Sequence, residues 1–235
     1  MIYVGKHDAT TERKFRDAFA KLRLPADSVI HYEQGDPADA ILAAARKNRV
    51  ELLIAGALEK EVVLRPFLGN VARRLAREAT CSVMLFTAPE LKPRSFRHIV
   101  LFADYSEHGQ RALRRTLHLA ERENCERLHV IRIHTSFDKA RARRRGKVVT
   151  VDELTLAEEE TALREFILAA GDTPVPIESR CIRGNTGFAA SDFVQSVEAD
   201  LLVVPLEPKP EPEPTLPPQI SWITDVIPCN LWIIR

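Results

Sequence analysis

A chain of 235 residues, 45% of them apolar, is long enough to form two small domains that each bury a core. Its 34 basic and 33 acidic residues leave a net charge of +1, which excludes a globally basic nucleic-acid binder and an acidic tail, so partner choice must come from local sites. No apolar run approaches the ~18 residues needed to cross a bilayer, and no signal-like segment follows Met1, so a soluble, cytoplasmic chain is expected.

Strand and helix signals alternate along the chain, the pattern of a mostly parallel sheet covered on both faces. Ile2 to Val4 is a short apolar run, and Thr10 to Leu22 carries Phe15, Ala18, Phe19 and Leu22 at helical spacing. Ser28 to Tyr32 reads as a strand, Asp36 to Lys47 as a helix and Glu51 to Ala55 as a buried strand. Val71 to Glu78 follows as a helix and Ser82 to Phe86 as a strand, before the linker-like Pro89 to Ser95. Beyond it, His98 to Phe102 is a strand, Glu107 to Glu123 a helix with Ala112, Leu113, Leu117 and Ala120 on one face, and Leu128 to Ile133 a strand. Val151 to Ala170 is a long helix, Ile177 to Cys181 a strand, Ala189 to Ser196 a helix, and Leu201 to Val204 and Leu231 to Ile234 are strands.

Part of this pattern is repeated. The segment from Gly35 to Cys81 recurs, about 150 residues later, from Gly184 to Cys229 with one residue of slippage. Val50-Glu-Leu-Leu-Ile-Ala-Gly56 answers to Ala199-Asp-Leu-Leu-Val-Val-Pro205, and Ala79-Thr-Cys-Ser-Val-Met-Leu-Phe86 to Ile227-Pro-Cys-Asn-Leu-Trp-Ile-Ile234. Two copies of one αβ unit are implied, at residues 1–89 and 96–235, joined by a linker at 90–95.

Asp104-Tyr-Ser-Glu107 after a strand, Gly35-Asp-Pro37 before a helix, and Gly56 thirteen residues before Gly69-Asn70 together resemble the universal stress protein family over nearly the whole chain. The resemblance implies an α/β fold of two tandem Rossmann-like domains, similar to adenine nucleotide alpha hydrolases, each with a parallel sheet in strand order 3-2-1-4-5. It also implies a pseudo-dimer through the last strands, Ser82 to Phe86 and Leu231 to Ile234. Family members are regulatory or stress-protective, are commonly dimers, and some bind ATP or other adenine nucleotides without being established enzymes.

Nucleotide-binding members carry G-x2-G-x9-G-(S/T) after the fourth strand. Glycines let backbone N–H groups approach phosphate oxygens, and the following helix offers its N-terminus to the charge. Gly56 and Gly69 match the first and third glycines, whereas Glu59 stands for the second and Asn70 for the Ser/Thr, with Lys60 and Arg65 near enough in sequence to offset the carboxylate. One degenerate site for ATP or AMP is therefore expected at Gly56, Gly69 and Asn70; the competing reading is a loop in which Gly69 only tightens the helix start. In the second unit the equivalent run, Pro205 to Pro218, has seven prolines in fourteen residues and cannot form a ring of backbone donors. It reads as a semi-rigid connector or a ligand for an aromatic groove. That unit keeps Asp104 and Ser106, which the resemblance places against the adenosine end and which the local sequence also allows as helix caps.

The first unit is one strand and one helix short. Either Ile2 to Val4 is the second strand of the fold, leaving the central first strand to be supplied by a removed N-terminal part or another chain, or it is the first strand, with Asp8-Ala-Thr10 as the counterpart of Asp104-Tyr-Ser106.

The remaining motifs are weak. Lys139 to Lys147 holds six basic residues in nine, without interleaved aromatics, and reads as a solvated loop or a contact for nucleic acid, anionic lipid or phosphate; no specific nucleic-acid partner is expected. Cys81, Cys125, Cys181 and Cys229 lack C-x-x-C spacing and read as buried reduced thiols, and the seven histidines show no metal spacing. No catalytic signature of related hydrolases or nucleotidyltransferases is found, so a non-catalytic, stress-response regulator is expected, with homodimerisation left open. The alternative is a cytosolic regulatory domain belonging to a membrane transporter of the same gene, such as a cation/proton antiporter or amino-acid permease.

Overall fold

The computed structural model describes residues 1–25, 27–56, 70–90, 93–134, 156–183, 186–207, 223 and 229–235. The first unit contributes β1 (Ile2–Val4), α1 (Ala9–Leu22), β2 (His31–Glu33), α2 (Pro37–Lys47), β3 (Leu52–Gly56), α3 (Asn70–Glu78) and β4 (Ser82–Phe86). The second contributes β5 (His98–Phe102), α4 (Glu107–Glu123), β6 (Arg127–His134), α5 (Leu156–Leu168), β7 (Ile177–Arg183), α6 (Thr186–Ser196), β8 (Leu201–Pro205) and β9 (Asn230–Ile234).

Local chemistry sets the helix starts. Asp36 accepts from the Asp39 backbone N–H at 3.0 Å while Pro37 occupies the first helical turn, where its missing donor costs nothing. Gly35 precedes them with φ +104°, a conformation that disfavours any residue with a Cβ. Ser106 caps α4 in the same way, and Asn124 ends that helix in the left-handed conformation.

Seven strands form one sheet in the order β3-β4-β9-β8-β5-β6-β7; β1 and β2 form a separate parallel pair. Within the second unit, β7-β6-β5-β8-β9 is the 3-2-1-4-5 order, parallel throughout. β4 and β9 then join antiparallel, with Val83, Met84 and Leu85 opposite Ile233, Trp232 and Leu231, so the two units share a single sheet. One core cluster runs through this seam: Leu42 of α2, Leu75 of α3 and Val83 of β4 pack in the same body as Val204, Leu231, Ile233 and Phe193. A second core lies on the other face of β5, β6 and β8, under α4 and α5. The seam is also clamped by Arg235, whose guanidinium donates to the carbonyls of Ala76 at 2.5 Å and Cys81 at 3.4 Å, near the end of α3. A cation at a helix C-terminus meets the negative end of the dipole. Burial nevertheless pushes this guanidinium's pKa down to about 10.

Most element ends agree with the sequence reading within a residue or two, although α6 begins at Thr186, three residues before the expected Ala189. β2 is the main correction: it begins at His31 rather than Ser28, because its pairing partner β1 has three residues and the ladder can only run Ile2 to His31, Tyr3 to Tyr32 and Val4 to Glu33. Val29 is left exposed, its carbonyl taken by the Met1 ammonium at 2.6 Å. β7 extends past Cys181 to Arg183 because β6 also runs on, to His134. The long second-unit helix begins at Leu156, residues 151–155 lying outside the described ones.

The two readings of Ile2–Val4 are separated by pairing. A first strand would lie beside β3, as β5 lies beside β8; β1 instead pairs with β2 across α1, as β6 pairs with β7 across α5. β1 therefore holds the second-strand position, and Asp8 is the N-cap of α1, accepting from Thr11 N–H at 2.9 Å, not a counterpart of Asp104.

Candidate functional site

The C-terminal ends of parallel strands are where an open α/β sheet presents its ligand groups. In the first unit that end is Gly56, the last residue of β3, which is exposed and has no described residue within 4 Å of where a Cβ would stand. Asn70 is exposed at the first position of α3, whose N-terminal dipole favours negative charge. Gly69, Glu59, Lys60 and Arg65 lie outside the described residues. Arg74 of α3 reaches back to the start of α2, meeting Asp36 at 3.0 Å and Asp39 at 2.6 Å, and also pairs with Glu78 at 3.0 Å. Its hydrogen bonds hold the Glu78 carboxyl below its usual range. This brace ties α3 to the start of α2.

In the second unit Asp104 and Ser106 meet directly. The Ser106 hydroxyl donates to one Asp104 oxygen at 2.9 Å and accepts from Gly109 N–H at 3.1 Å, while the other Asp104 oxygen accepts from Ser106 N–H at 3.2 Å. Both carboxylate oxygens thus serve the start of α4. Gly109 is what allows it: a Cβ there would stand 1.8 Å from the Asp104 carbonyl oxygen, an impossible contact with backbone. Beside them, the Arg132 guanidinium lies 4.7 Å from the Tyr105 ring centroid and donates to Ala103 O at 3.2 Å. Tyr105 donates to Glu159 at 3.3 Å, and burial raises its phenol well above the usual value.

Across the strand from Asp104, the first two residues at the end of β8 present no free backbone donor. Pro205 has no N–H, and Leu206 N–H is spent on Ile234 O at 2.8 Å. The Pro-rich run beyond residue 207 and the basic run at Lys139 to Lys147 lie outside the described residues.

The two sets of candidates cannot make one site. β3 and β5 are separated by β4, β9 and β8, about 19 Å at the usual strand spacing, and the β4–β9 seam reverses direction, so their C-terminal ends face opposite edges of the sheet. Tyr105, Arg132, Glu159 and Gly109 escaped the sequence reading. Gly109 alone had a local signal, because a glycine in the first turn of a strong helix costs about 1 kcal/mol and marks a close approach.

Among the described residues no three His, Cys, Asp or Glu side chains converge as a metal site. Cys81, Cys125 and Cys229 are buried and Cys181 partly so; burial raises all four thiols, Cys229 to about 12. No helix among the described residues is long and apolar enough to cross a membrane.

An α/β sheet of two similar units, with strand-end groups at opposite edges, defines a tandem Rossmann-like protein. The model of the universal stress protein family matches residues 3–87 and 95–212, and the chain belongs to that family. Among solved structures, a putative universal stress protein from Pseudomonas aeruginosa UCBPP-PA14 matches 99% of this chain and 81% of its own at 16% identity, with a TM-score of 0.71. A functionally unknown protein from P. aeruginosa PAO1 matches 99% of this chain and 80% of its own at 16% identity and TM-score 0.69. A universal stress protein from Archaeoglobus fulgidus DSM 4304 matches 98% of this chain and 81% of its own at 14% identity and TM-score 0.60. At these identities the likeness concerns the fold.

Proposed function

We propose that the chain is a regulatory module that works by binding and interaction rather than catalysis, with residues 1–89 and 96–235 as its two units. The observation that carries this reading is the antiparallel β4–β9 seam, which merges both sheets and one of the cores into a single body. An internal pair of this kind serves as a platform that presents two different edges, and it does not depend on turnover at either. In the second unit the Asp104 and Ser106 groups are spent on the start of α4, which supports a structural role for them.

At most one adenine nucleotide, ATP or AMP, binds, and it binds in the first unit. Gly56 supplies the open backbone and Asn70 the helix N-terminus, and the sequence motif adds Gly69, which lies outside the described residues. Titration calorimetry and thermal shift with ATP and AMP test this. Saturable heat that disappears in Gly56→Val and Gly69→Val and persists in Ser106→Ala is the expected result. No heat at millimolar nucleotide, or heat lost only in Ser106→Ala, would overturn it.

A further inference from the structure

α4 is held firmly along its inner face. Ala112, Leu113, Thr116, Leu117 and Ala120 are buried, Ser106 caps the start, and Asn124 ends the helix in the left-handed conformation. Its outward arc is a stripe of basic residues. At about 100° and 1.5 Å per residue, Arg111, Arg114, Arg115, His118 and Arg122 fall within about 100° of arc and about 16 Å of axis, and all five are exposed. The acids of the same helix do not answer them. Glu121 accepts from the Thr173 hydroxyl at 2.9 Å and Glu123 from the Phe96 backbone N–H at 3.3 Å. Glu107, in the first turn, is 98% exposed and 4.0 Å from Arg111, a loose contact in water. Arg114 donates to the Ala169 carbonyl at 3.3 Å, and Arg115 and Arg122 have no hydrogen-bond or ion-pair partner among the described residues. Arg74, Arg97 and Arg127, by contrast, each meet acids: Arg74 three of them, Arg97 Glu126, and Arg127 Glu178.

We propose that this face of α4 is a docking surface for an acidic helix of a partner protein, one that carries Asp or Glu at intervals of three and four residues. The side chains select an anion, because guanidinium groups pair bidentately with carboxylate or phosphate. The surroundings select among anions. The arc holds no Phe, Tyr, Trp or aliphatic side chain, so it has nothing to stack on an unpaired base or to insert into a bilayer. A phosphate backbone or an anionic membrane is drawn by a broad positive field, whereas this chain has a net charge of +1 and places Glu107, Glu121 and Glu123 on the same helix. What remains is short-range pairing in register. Arg111, Arg115, His118 and Arg122 stand at i, i+4, i+7 and i+11, which is the spacing of one face of a second helix, so its carboxylates can lie opposite them turn by turn. The core contacts of α4 lock its backbone beforehand, which confines the ordering cost of docking to side chains. The proposal rests on the reading of the chain as a platform for interaction and not on nucleotide, so its titration and the nucleotide titration succeed or fail separately.

Titration of the full 235-residue chain tests the proposal. The probe is an alanine-rich helical peptide of about 20 residues with Glu at i, i+4, i+7 and i+11; its Gln version, duplex DNA and phosphatidylserine vesicles are the other arms. Saturable binding of the Glu peptide should weaken at least about tenfold in Arg115→Glu/Arg122→Glu and fade as salt rises. It should be unchanged in Arg13→Glu/Lys14→Glu, which alters exposed basic residues of α1. The neutral Arg115→Gln/Arg122→Gln should weaken binding as well, which separates lost pairing from introduced repulsion. Both α4 variants should melt close to the parent, because the altered side chains are exposed. Four results would overturn the proposal: no saturable binding of the Glu peptide, the Gln peptide bound as tightly, equal losses in the α4 and α1 variants, or DNA or vesicles bound more tightly than the peptide through the same arginines.

Discussion

β3 and β8 are nearly the same strand in sequence, Leu-Leu-Ile-Ala-Gly and Leu-Leu-Val-Val-Pro, yet one is an exposed edge and the other the dry interior of a sheet. The difference lies in what flanks them: β8 has β5 beside it and α4 over it, and among the described residues β3 has neither. Burial is thus a property of the neighbourhood and not of the strand. The same holds for the strand ends. Gly56 leaves an open backbone at the first unit's edge, whereas Pro205 and the spent Leu206 N–H close the second. Duplication kept the scaffold and let the two edges diverge.

The sharpest way to break this comparison is to truncate matched residues. Leu201→Ala should cost about 2–5 kcal/mol in urea unfolding, from lost burial and a cavity, whereas Leu52→Ala should stay within about 1 kcal/mol. Equal losses would mean that β3 is covered after all. The glycines give the next largest contrast. Gly109→Ala drives a Cβ into the Asp104 carbonyl and should cost about 1–3 kcal/mol in thermal melts, while Gly56→Ala, with open space around it, should lie within about 0.5 kcal/mol.

Helix caps should separate the units more finely. Ser106→Ala should lower global stability by about 1 kcal/mol, because α4 is locked into the core. Asp8→Ala removes a similar bond from α1, which buries no residue fully, and should speed exchange at Thr11 without moving the urea midpoint.

The smallest effects are in pH. His129 is buried against Phe193, with Glu178 3.6 Å away and Arg127, His98 and Arg180 around it; burial holds its pKa below the usual 6.5. The unfolded chain therefore takes the proton first, and stability should fall as pH drops below about 6.5, a step that His129→Gln should flatten. Glu78 in the first unit has its pKa held below 4.5 by Arg74. Its contribution is present above 4.5 and lost as pH falls through the lowered value, so Arg74→Met should flatten a later limb worth less than about 1 kcal/mol.

Much of the fold was legible because its signals are local. Strands of five residues with four apolar ones, such as Ser82–Phe86 and His98–Phe102, and the capped start at Gly35-Asp36-Pro37 each declare themselves within a few neighbours. Ser28 to Ile30 misled, since an apolar run becomes a strand only where a partner offers a ladder, and β1 ends the ladder at His31. The candidate site was legible in part. Gly56 and Asn70 stand at a strand end and a helix start as their motif requires, but the engagement of Asp104 by Ser106, the Tyr105–Arg132–Glu159 group and the Arg235 clamp all depend on chain segments far apart in sequence.

Composition, periodicity and the internal repeat were enough to establish two αβ units and the order of their elements, because hydrophobic spacing and capping chemistry act over one turn or one strand. Which strand sits beside which, and which edge each strand end faces, was decided by tertiary structure. Backbone hydrogen bonding is indifferent to side-chain identity, so parallel and antiparallel seams can be built from the same apolar run. The choice between Val83 and Ile233 as antiparallel partners turned Gly56 and Asp104 to opposite edges, and the absence of a strand between β1 and β3 among the described residues left Leu52 and Ile54 in water.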